Sequence, residues 1–494
     1  MDSQAFDRDR RRFILVSAAA SAGAALFFGA GCDTPQGMQN PRSTNVPGAG
    51  TLPGQNPAGM NGAPQSGAEP AKPKPEPAPK DGKTDKPQTI ERPEPPSKEP
   101  AIRIKTREIL PAAPQVTVQG SGPSVWVVAK GTGKGGKLAR GPVEIRWTNV
   151  GWRITENAGT RRACVLDYSA LGTLDVMSLT NEEQRITIDG VSWPGAVRLV
   201  PQGGGFDLVH EVPMEMYLSG VIAKELYNSW AVETHRAQAI AARSWAICEM
   251  AIARPQRHYD VVADERSQAW VGETKHQKSL DAVRDTAGQL LVWQDRVVPA
   301  YYSSCCGGAR ANAQGTISSE MQHDIGPLRA ASGKRGCACT GFSKFAKWEM
   351  TLEVPAVSRA LPGWGRLEGY PSLSRIGRLA ELTVIARNEQ GRPERVRVVD
   401  AKGWKCELTA ESMRWALSAS PANPAVKKPV NERVRSAFFE PKIVGDRLVL
   451  KGAGYGHGVG LCQFGTEAMA KDGAKANRIL STYYPGAQLV RAYT

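Results

Sequence analysis

From about residue 115 onward, apolar and polar side chains alternate in short runs. Val116-Thr117-Val118, Val125-Trp126-Val127-Val128, Val143-Glu144-Ile145-Arg146-Trp147 and Ile186-Thr187-Ile188 stand between Gly-rich turns, which predicts short strands. Val197-Arg198-Leu199-Val200 and Phe206-Asp207-Leu208-Val209 predict a hairpin across 202–205. Beyond His210 the period lengthens. Pro213 suits a first helical position, and Tyr217, Leu218, Val221 and Ile222 share one face. A second helix is predicted over 232–253. Eight of the 23 residues from 231 to 253 are Ala, so it can pack closely, and Ala237, Ala241, Trp245, Cys248 and Ile252 form a stripe. A third helix over 278–286 is closed by Gly288, and a hairpin follows around 294–296. Strand texture returns over 346–410. The chain ends in a Gly-rich loop and helices near 463–471 and 474–483. The pattern predicts an α+β fold, with a core of Ala-rich helices and antiparallel strands interrupted and preceded by β-rich segments.

Ahead of residue 115 this periodicity vanishes. Of 35 prolines, sixteen lie in 33–100, a stretch without Phe, Tyr or Trp. So few large apolar groups cannot offset the entropy of ordering, so 33–115 reads as a disordered Pro/Gly-rich linker. Residues 1–32 read as an export signal. Arg10-Arg11-Arg12-Phe13-Ile14 resembles a twin-arginine signature, and Gly29-Ala30-Gly31-Cys32 resembles a lipoprotein processing site with Cys32 as the lipidated residue. A cleaved secretory signal and a plain N-terminal transmembrane anchor are the alternatives. All three put the remainder outside the cytoplasm, on the periplasmic or cell-envelope side, and the lipoprotein reading has it touch membrane through the N-terminal anchor only. No other long apolar run exists, which excludes a polytopic membrane protein. The net charge of +15 suits nucleic acid or anionic wall polymers equally. Export argues against nucleic acid.

Three segments are more specified than packing requires. The first is Gly220-Val221-Ile222-Ala223-Lys224-Glu225-Leu226-Tyr227, running through Trp230 into His235-Arg236-Ala237-Gln238 and Arg243-Ser244-Trp245. The second is Ala300-Tyr301-Tyr302-Ser303-Ser304-Cys305-Cys306-Gly307-Gly308. The third is Gly452-Ala453-Gly454-Tyr455-Gly456-His457-Gly458-Val459-Gly460-Leu461-Cys462-Gln463-Phe464-Gly465, followed by Tyr483-Tyr484-Pro485-Gly486. In this order they resemble the SpoIID/LytB family, the stage II sporulation protein D and amidase-enhancer group, over about residues 120–494. The third segment resembles the family's run Gly-Trp-Gly-His-Gly-Val-Gly-Met-Ser-Gln-Trp-Gly, with Tyr455, Cys462 and Phe464 as variants.

The resemblance implies a SpoIID core over 211–350 and 446–494, a β-rich lead-in over 116–210 and a β-rich insertion over 351–445. It also implies a lytic transglycosylase acting on peptidoglycan glycan strands, with Glu225 as the catalytic acid and base. One carboxyl group can serve both proton transfers when the sugar's own hydroxyl replaces water as nucleophile, so the second carboxylate of hydrolases is not needed. Leu226, Tyr227 and Trp230 supply apolar surroundings that raise a carboxyl pKa. Gln238, Arg243, Tyr302, Ser303, Ser304, His457 and Gln463 are the candidate substrate-binding residues. A buried structural network is the competing reading for Gln238 and Arg243, and a turn histidine for His457. A serine nucleophile is excluded because no Gly-x-Ser-x-Gly elbow surrounds Ser303 or Ser304. The alternative function is a non-catalytic wall-binding enhancer of an N-acetylmuramoyl-L-alanine amidase, which needs the fold but not the Glu225 carboxyl.

No cofactor is expected. The family often carries a His/Cys/Cys zinc site after the second helix. Here His258 remains but Ala263 or its neighbours and Ser267 stand where the thiols would be, so no metal is expected there. Cys305, Cys306, Cys337 and Cys339 admit cross-paired disulfides, a structural zinc or free thiols. Cys248, on the apolar stripe, reads as core packing.

Overall fold

The computed structural model describes residues 91–129, 136–168, 172–178, 185–318, 323–330 and 336–494. The export signal with Cys32 and most of the linker lie outside the described residues. Among the described residues no helix is long and apolar enough to cross a membrane.

The alternating runs build a β-sandwich. One sheet has seven strands in the order Val261–Val262, Ala101–Ile109, Gly205–Pro213, Val197–Gln202, Leu174–Ser178, Ser124–Ala129 and Lys137–Arg140. The other has six: Val191–Pro194, Arg185–Ile188, Gln115–Gly120, Val143–Thr148, Gly151–Glu156 and Cys164–Tyr168. Val125, Val127, Val176 and Leu199 of the first pack against Val116, Val118, Ile145 and Ile186 of the second, as the period of two requires.

The strand Ala101–Ile109 corrects the linker reading of 33–115. It pairs antiparallel with Gly205–Pro213, from Ala101↔Pro213 to Ile109↔Phe206, and parallel with Val261–Val262. Ile102 and Ile104 are fully buried, and Arg103 on the other face meets Asp260 at 2.7 Å. The sequence Ala101-Ile102-Arg103-Ile104-Lys105 does alternate, but the flanking prolines and charges mask so short a run. Arg92 is also tied down, donating to the Trp293 and Arg296 carbonyls at 3.1 and 3.2 Å.

The helical core follows. Helix α1 (Met214–Glu225) leads into α2 (Val232–Ala253), and α3 (Gln277–Asp285) packs on both. Seventeen of the 22 residues of α2 are buried, so its alanines meet neighbours on every side rather than along one stripe. Its N-terminus has no cap of its own. Glu467 supplies one, accepting from the Ala231 N–H at 2.9 Å and the Thr234 hydroxyl at 2.7 Å, where the helix dipole favours an anion.

An insertion with its own core interrupts this unit. Its first strand, Trp348–Glu353, pairs with Arg447–Gly452 near its exit, register Trp348↔Gly452. Between them lie α4 (Val354–Leu367), α5 (Pro371–Ser374), the antiparallel sheet Leu379–Arg387, Pro393–Asp400 and Lys405–Thr409, and α6 (Ala410–Leu417). The expectation of a β-rich insertion therefore missed three helices. Helix α4 carries Pro355 in its first turn, Pro362 inside it and Gly363 and Gly365, all of which argue against a helix until tertiary packing of Val357, Leu361 and Trp364 overrides them. The chain returns to the core through α7 (Gln463–Lys471) and α8 (Ala476–Tyr483).

The strand Ala101–Ile109 is expected to be indispensable. Burial of Ile102 and Ile104 contributes roughly 1.5–3 kcal/mol each, comparable together to the whole stability of a modest domain. A chain starting at residue 91 should melt cooperatively, and one starting at 116 should not. Identical melting curves by circular dichroism would refute this.

Candidate functional site

Glu225 is the last helical residue of α1, and the chain leaves it through Leu226 in extended conformation. A carboxylate at a helix C-terminus faces the negative end of the dipole. Three segments distant in sequence converge on it. Gln463, first residue of α7, donates from Nε2 to Glu225 Oε2 at 3.1 Å. The Ala269 N–H donates to Oε1 at 3.3 Å. The buried Tyr302 hydroxyl lies beside Glu225 and Gln268 but closes no hydrogen bond with either among the described residues.

The approach of the Ala269 loop depends on Gly220. A Cβ at that position of α1 would stand 2.2 Å from the Gly272 carbonyl oxygen and 2.8 Å from the Trp270 ring. Gln268 braces the same loop from below. It accepts from the buried Tyr217 hydroxyl at 2.9 Å and donates to the Ala242 carbonyl at 3.2 Å. Tyr302 reaches the site through a two-residue parallel pairing, Tyr302↔Leu461 and Ser303↔Cys462. Gly460 permits it, since a Cβ there would sit 2.0 Å from the Tyr301 carbonyl oxygen, at φ +67°.

Burial raises the Glu225 pKa, while the bonds from Gln463 and Ala269 pull the other way. Burial, then the nearby Glu225, push the Tyr302 phenol well above its ordinary range. The site thus holds a carboxyl group biased towards its neutral acid form, one amide donor, one backbone donor and a phenol that stays protonated. Among the described residues no carboxylate is a partner of Glu225. Beside it runs an aromatic surface: Tyr227, half exposed, lies 5.2 Å from Trp230, which meets Phe464 edge-on at 5.1 Å, with Phe342 5.8 Å from Phe464. A concavity of about 380 Å³ bounded by Ser97–Glu99 and 491–494 shares no wall residue with this site.

The model of a family described as stage II sporulation protein matches residues 202–293. Over 299 residues the chain is 26% identical to stage II sporulation protein D of Bacillus subtilis, covering 58% of this chain and 76% of that protein. It is 25% identical over 305 residues to an uncharacterized protein of Brachyspira hyodysenteriae, covering 62% and 74%. It is also 23% identical over 296 residues to the amidase enhancer of Bacillus subtilis, of whose length the match spans 40%. The chain is thus similar to the stage II sporulation protein D and amidase-enhancer proteins.

Of the residues expected from the SpoIID/LytB motifs, the fold gathers Glu225, Tyr302 and Gln463. Ser303 is turned to the backbone, its hydroxyl accepting from the Gly458 N–H at 3.2 Å. The Ser304 carbonyl accepts from Phe464 N–H at 3.0 Å. His457 Nδ1 accepts from the Val459 N–H at 3.0 Å, and burial lowers its pKa to about 4. It is therefore a neutral imidazole with its proton on Nε2, braced inside the Gly-rich loop.

Arg243 and Gln238 do not present groups to substrate. Arg243 is fully buried and bonds Glu215 through Nε and Nη2 at 2.9 and 2.5 Å, and the Gln289 carbonyl at 3.1 Å. Tyr493 joins from the C-terminus at 2.8 Å to Glu215. This ion pair ties α1, α2 and the chain end together. Gln238 is fully buried, with no hydrogen bond to its amide among the described residues. His258 is held by Asp207 at 2.9 Å, and the Ser267 hydroxyl accepts from the Val262 N–H at 3.2 Å.

Sequence reasoning missed Gln268, Ala269 and Tyr217. Only the apolar face that includes Tyr217 was legible. Gly220→Ala should cost roughly 1–3 kcal/mol, as overpacking does, and should loosen the Ala269 loop from Glu225. An unchanged melting temperature would show that α1 and the 268–272 loop do not meet as described.

Proposed function

We propose that the protein is a peptidoglycan lytic transglycosylase in which Glu225 is both general acid and general base. The observation that carries this is a single partly buried carboxyl group at a helix C-terminus, with raised pKa, held by Gln463 and Ala269 and, among the described residues, paired with no second carboxylate. Similarity to stage II sporulation protein D and to the amidase enhancer supports work at the cell wall.

The chemistry follows from one group in two states. As the acid, Glu225 gives its proton to the glycosidic oxygen while the bond from that oxygen to the anomeric carbon breaks. As the carboxylate, it accepts the proton of the sugar's own 6-hydroxyl as that oxygen bonds the anomeric carbon. The proton count closes, and the product carries an intramolecular anhydro ring. Gln463 keeps one carboxylate oxygen fixed through both steps. The Tyr302 phenol can bond the carboxylate as it forms. Tyr227 and Phe342 offer ring faces on which sugars stack.

A second reading rests on the amidase-enhancer relative: a wall-binding protein that stimulates a partner amidase, with Glu225 idle. The two part at Glu225→Gln. On peptide-free glycan strands the substitution should lower formation of anhydro ends by at least about a hundredfold. Undiminished cleavage by the variant removes Glu225 from the mechanism. No cleavage by either protein, with amidase stimulation by both, favours the enhancer.

The raised pKa adds a signed test. Wild-type activity needs the protonated acid, so it should fall as pH rises through the raised pKa. Over the same window the folded protein holds a proton that the unfolded chain has released, so wild type loses stability with rising pH. Gln has no such loss. Relative to wild type, Glu225→Gln should therefore gain stability as pH rises above the ordinary carboxylate range. Parallel pH–melting curves for the two proteins would show that burial does not shift this carboxyl.

A further inference from the structure

Sequence adjacency suggested Cys305, Cys306, Cys337 and Cys339 as one group. The structure gathers a different four. The thiol sulfurs of Cys306, Cys337, Cys339 and Cys462 all lie within 4.8 Å of one another. The Cys306 and Cys339 sulfurs are 3.7 Å apart, and none of these four cysteines is in a disulfide. Cys305, buried beside them, is outside this set.

We propose that these four cysteines form a structural tetrathiolate site for one zinc ion. A tetrahedron with arms of 2.3 Å has edges of about 3.8 Å, which is the spacing found between Cys306 and Cys339. Two disulfides would draw the sulfurs into two bonded pairs instead of four mutual neighbours. A four-iron cluster would spread the thiolates further apart.

The surroundings fit an anionic centre rather than four neutral thiols. The backbone N–H groups of Cys306 and Gly465 point at the Cys462 sulfur at 3.3 and 3.4 Å. The Tyr483 hydroxyl lies 3.2 Å from the Cys337 sulfur. Such outer donors are what metal-bound thiolates take. Gly465 makes the room: a Cβ there would stand 2.3 Å from the Cys337 sulfur and 2.2 Å from the Tyr483 hydroxyl oxygen. Arg392 completes the balance. Its guanidinium is buried and bonds only carbonyls, those of Cys306, Ala309 and His457 at 3.0, 3.2 and 3.0 Å. Among the described residues it has no salt bridge. A tetrathiolate zinc centre carries two negative charges, and Arg392 bonds the carbonyl of one of its ligands.

The ion would join three segments: the end of the Tyr302 strand, the turn Ala338–Gly341 with its preceding Cys337, and the start of α7. Cys462 directly precedes Gln463, so the same ion would fix the amide that holds Glu225. The site stands apart from the reading of Glu225, because metal content does not depend on activity.

The full chain, purified without chelator, should contain one zinc per chain by elemental analysis. Exchange into cobalt should give the intense thiolate-to-metal and visible bands of a tetrahedral sulfur site. Cys339→Ser and Cys462→Ser should drop zinc to background, while Cys305→Ser and Cys248→Ser keep it. If either of the first two fails to fold, Cys337→His decides: it should fold with full zinc and shift the cobalt bands to those of three sulfurs and one nitrogen. Metal-free wild type, a Cys306–Cys339 disulfide in non-reduced peptide mass spectra, or full zinc in folded Cys339→Ser would each overturn the proposal.

Discussion

The parallel pairing of Tyr302–Ser303 with Leu461–Cys462 is the constraint on which the core depends. It joins two segments separated by the whole insertion, and closing so long a loop costs conformational entropy. The insertion reduces that cost by pairing Trp348–Glu353 with Arg447–Gly452, so its two ends already lie side by side. The junction is then sealed by buried polar bonds. The Tyr484 hydroxyl donates to the Tyr301 carbonyl at 2.7 Å, and the Leu461 N–H donates to the same carbonyl at 3.0 Å. The Trp348 indole donates to the Gly454 carbonyl at 2.9 Å.

Everything chemical hangs on that junction. It delivers Tyr302 from one side and Gln463 from the other to a carboxyl group fixed independently at the end of α1. Burying such a group is unfavourable for its charged form, and the two hydrogen bonds offset only part of the penalty. The core tolerates this because α1 is anchored elsewhere, through Glu215 and the buried Arg243. Stability and reactivity thus use opposite ends of one helix. Glu215 near its start is fully paired, whereas Glu225 at its end is left short of partners.

Much of this was legible in the sequence, for reasons that differ by element. The Ala-rich α2, the hairpin Val197–Gln202 with Gly205–Pro213, and α7 all appeared because their local pattern agrees with their tertiary surroundings. The strand Ala101–Ile109 did not, because only Ile102 and Ile104 carry its signal amid prolines and charges. Helix α4 did not, because Pro362 and two glycines contradict the helix that Trp364 and Leu361 stabilise from the insertion's core. In both cases tertiary contacts overrule the local reading.

The site divides along another line. Glu225, Tyr302 and Gln463 stood in motif segments and do meet. Arg243 and Gln238 stood in the same first segment, yet α2 is buried on nearly every side, so polar residues on it meet protein rather than solvent. A helical wheel cannot reveal this, because it shows which residues share a face and not how many faces are covered. The cysteines make the same point in space. Cys305 and Cys306 are neighbours in sequence, but the ligand set takes Cys462 in place of Cys305. The parallel pairing puts Cys462 opposite Ser303. What brings Gln463 to Glu225 therefore also brings Cys462 to Cys306. The sequence could show that these segments were special, but only the pairing explains why one short stretch carries both a sulfur ligand and the amide that holds the carboxyl group.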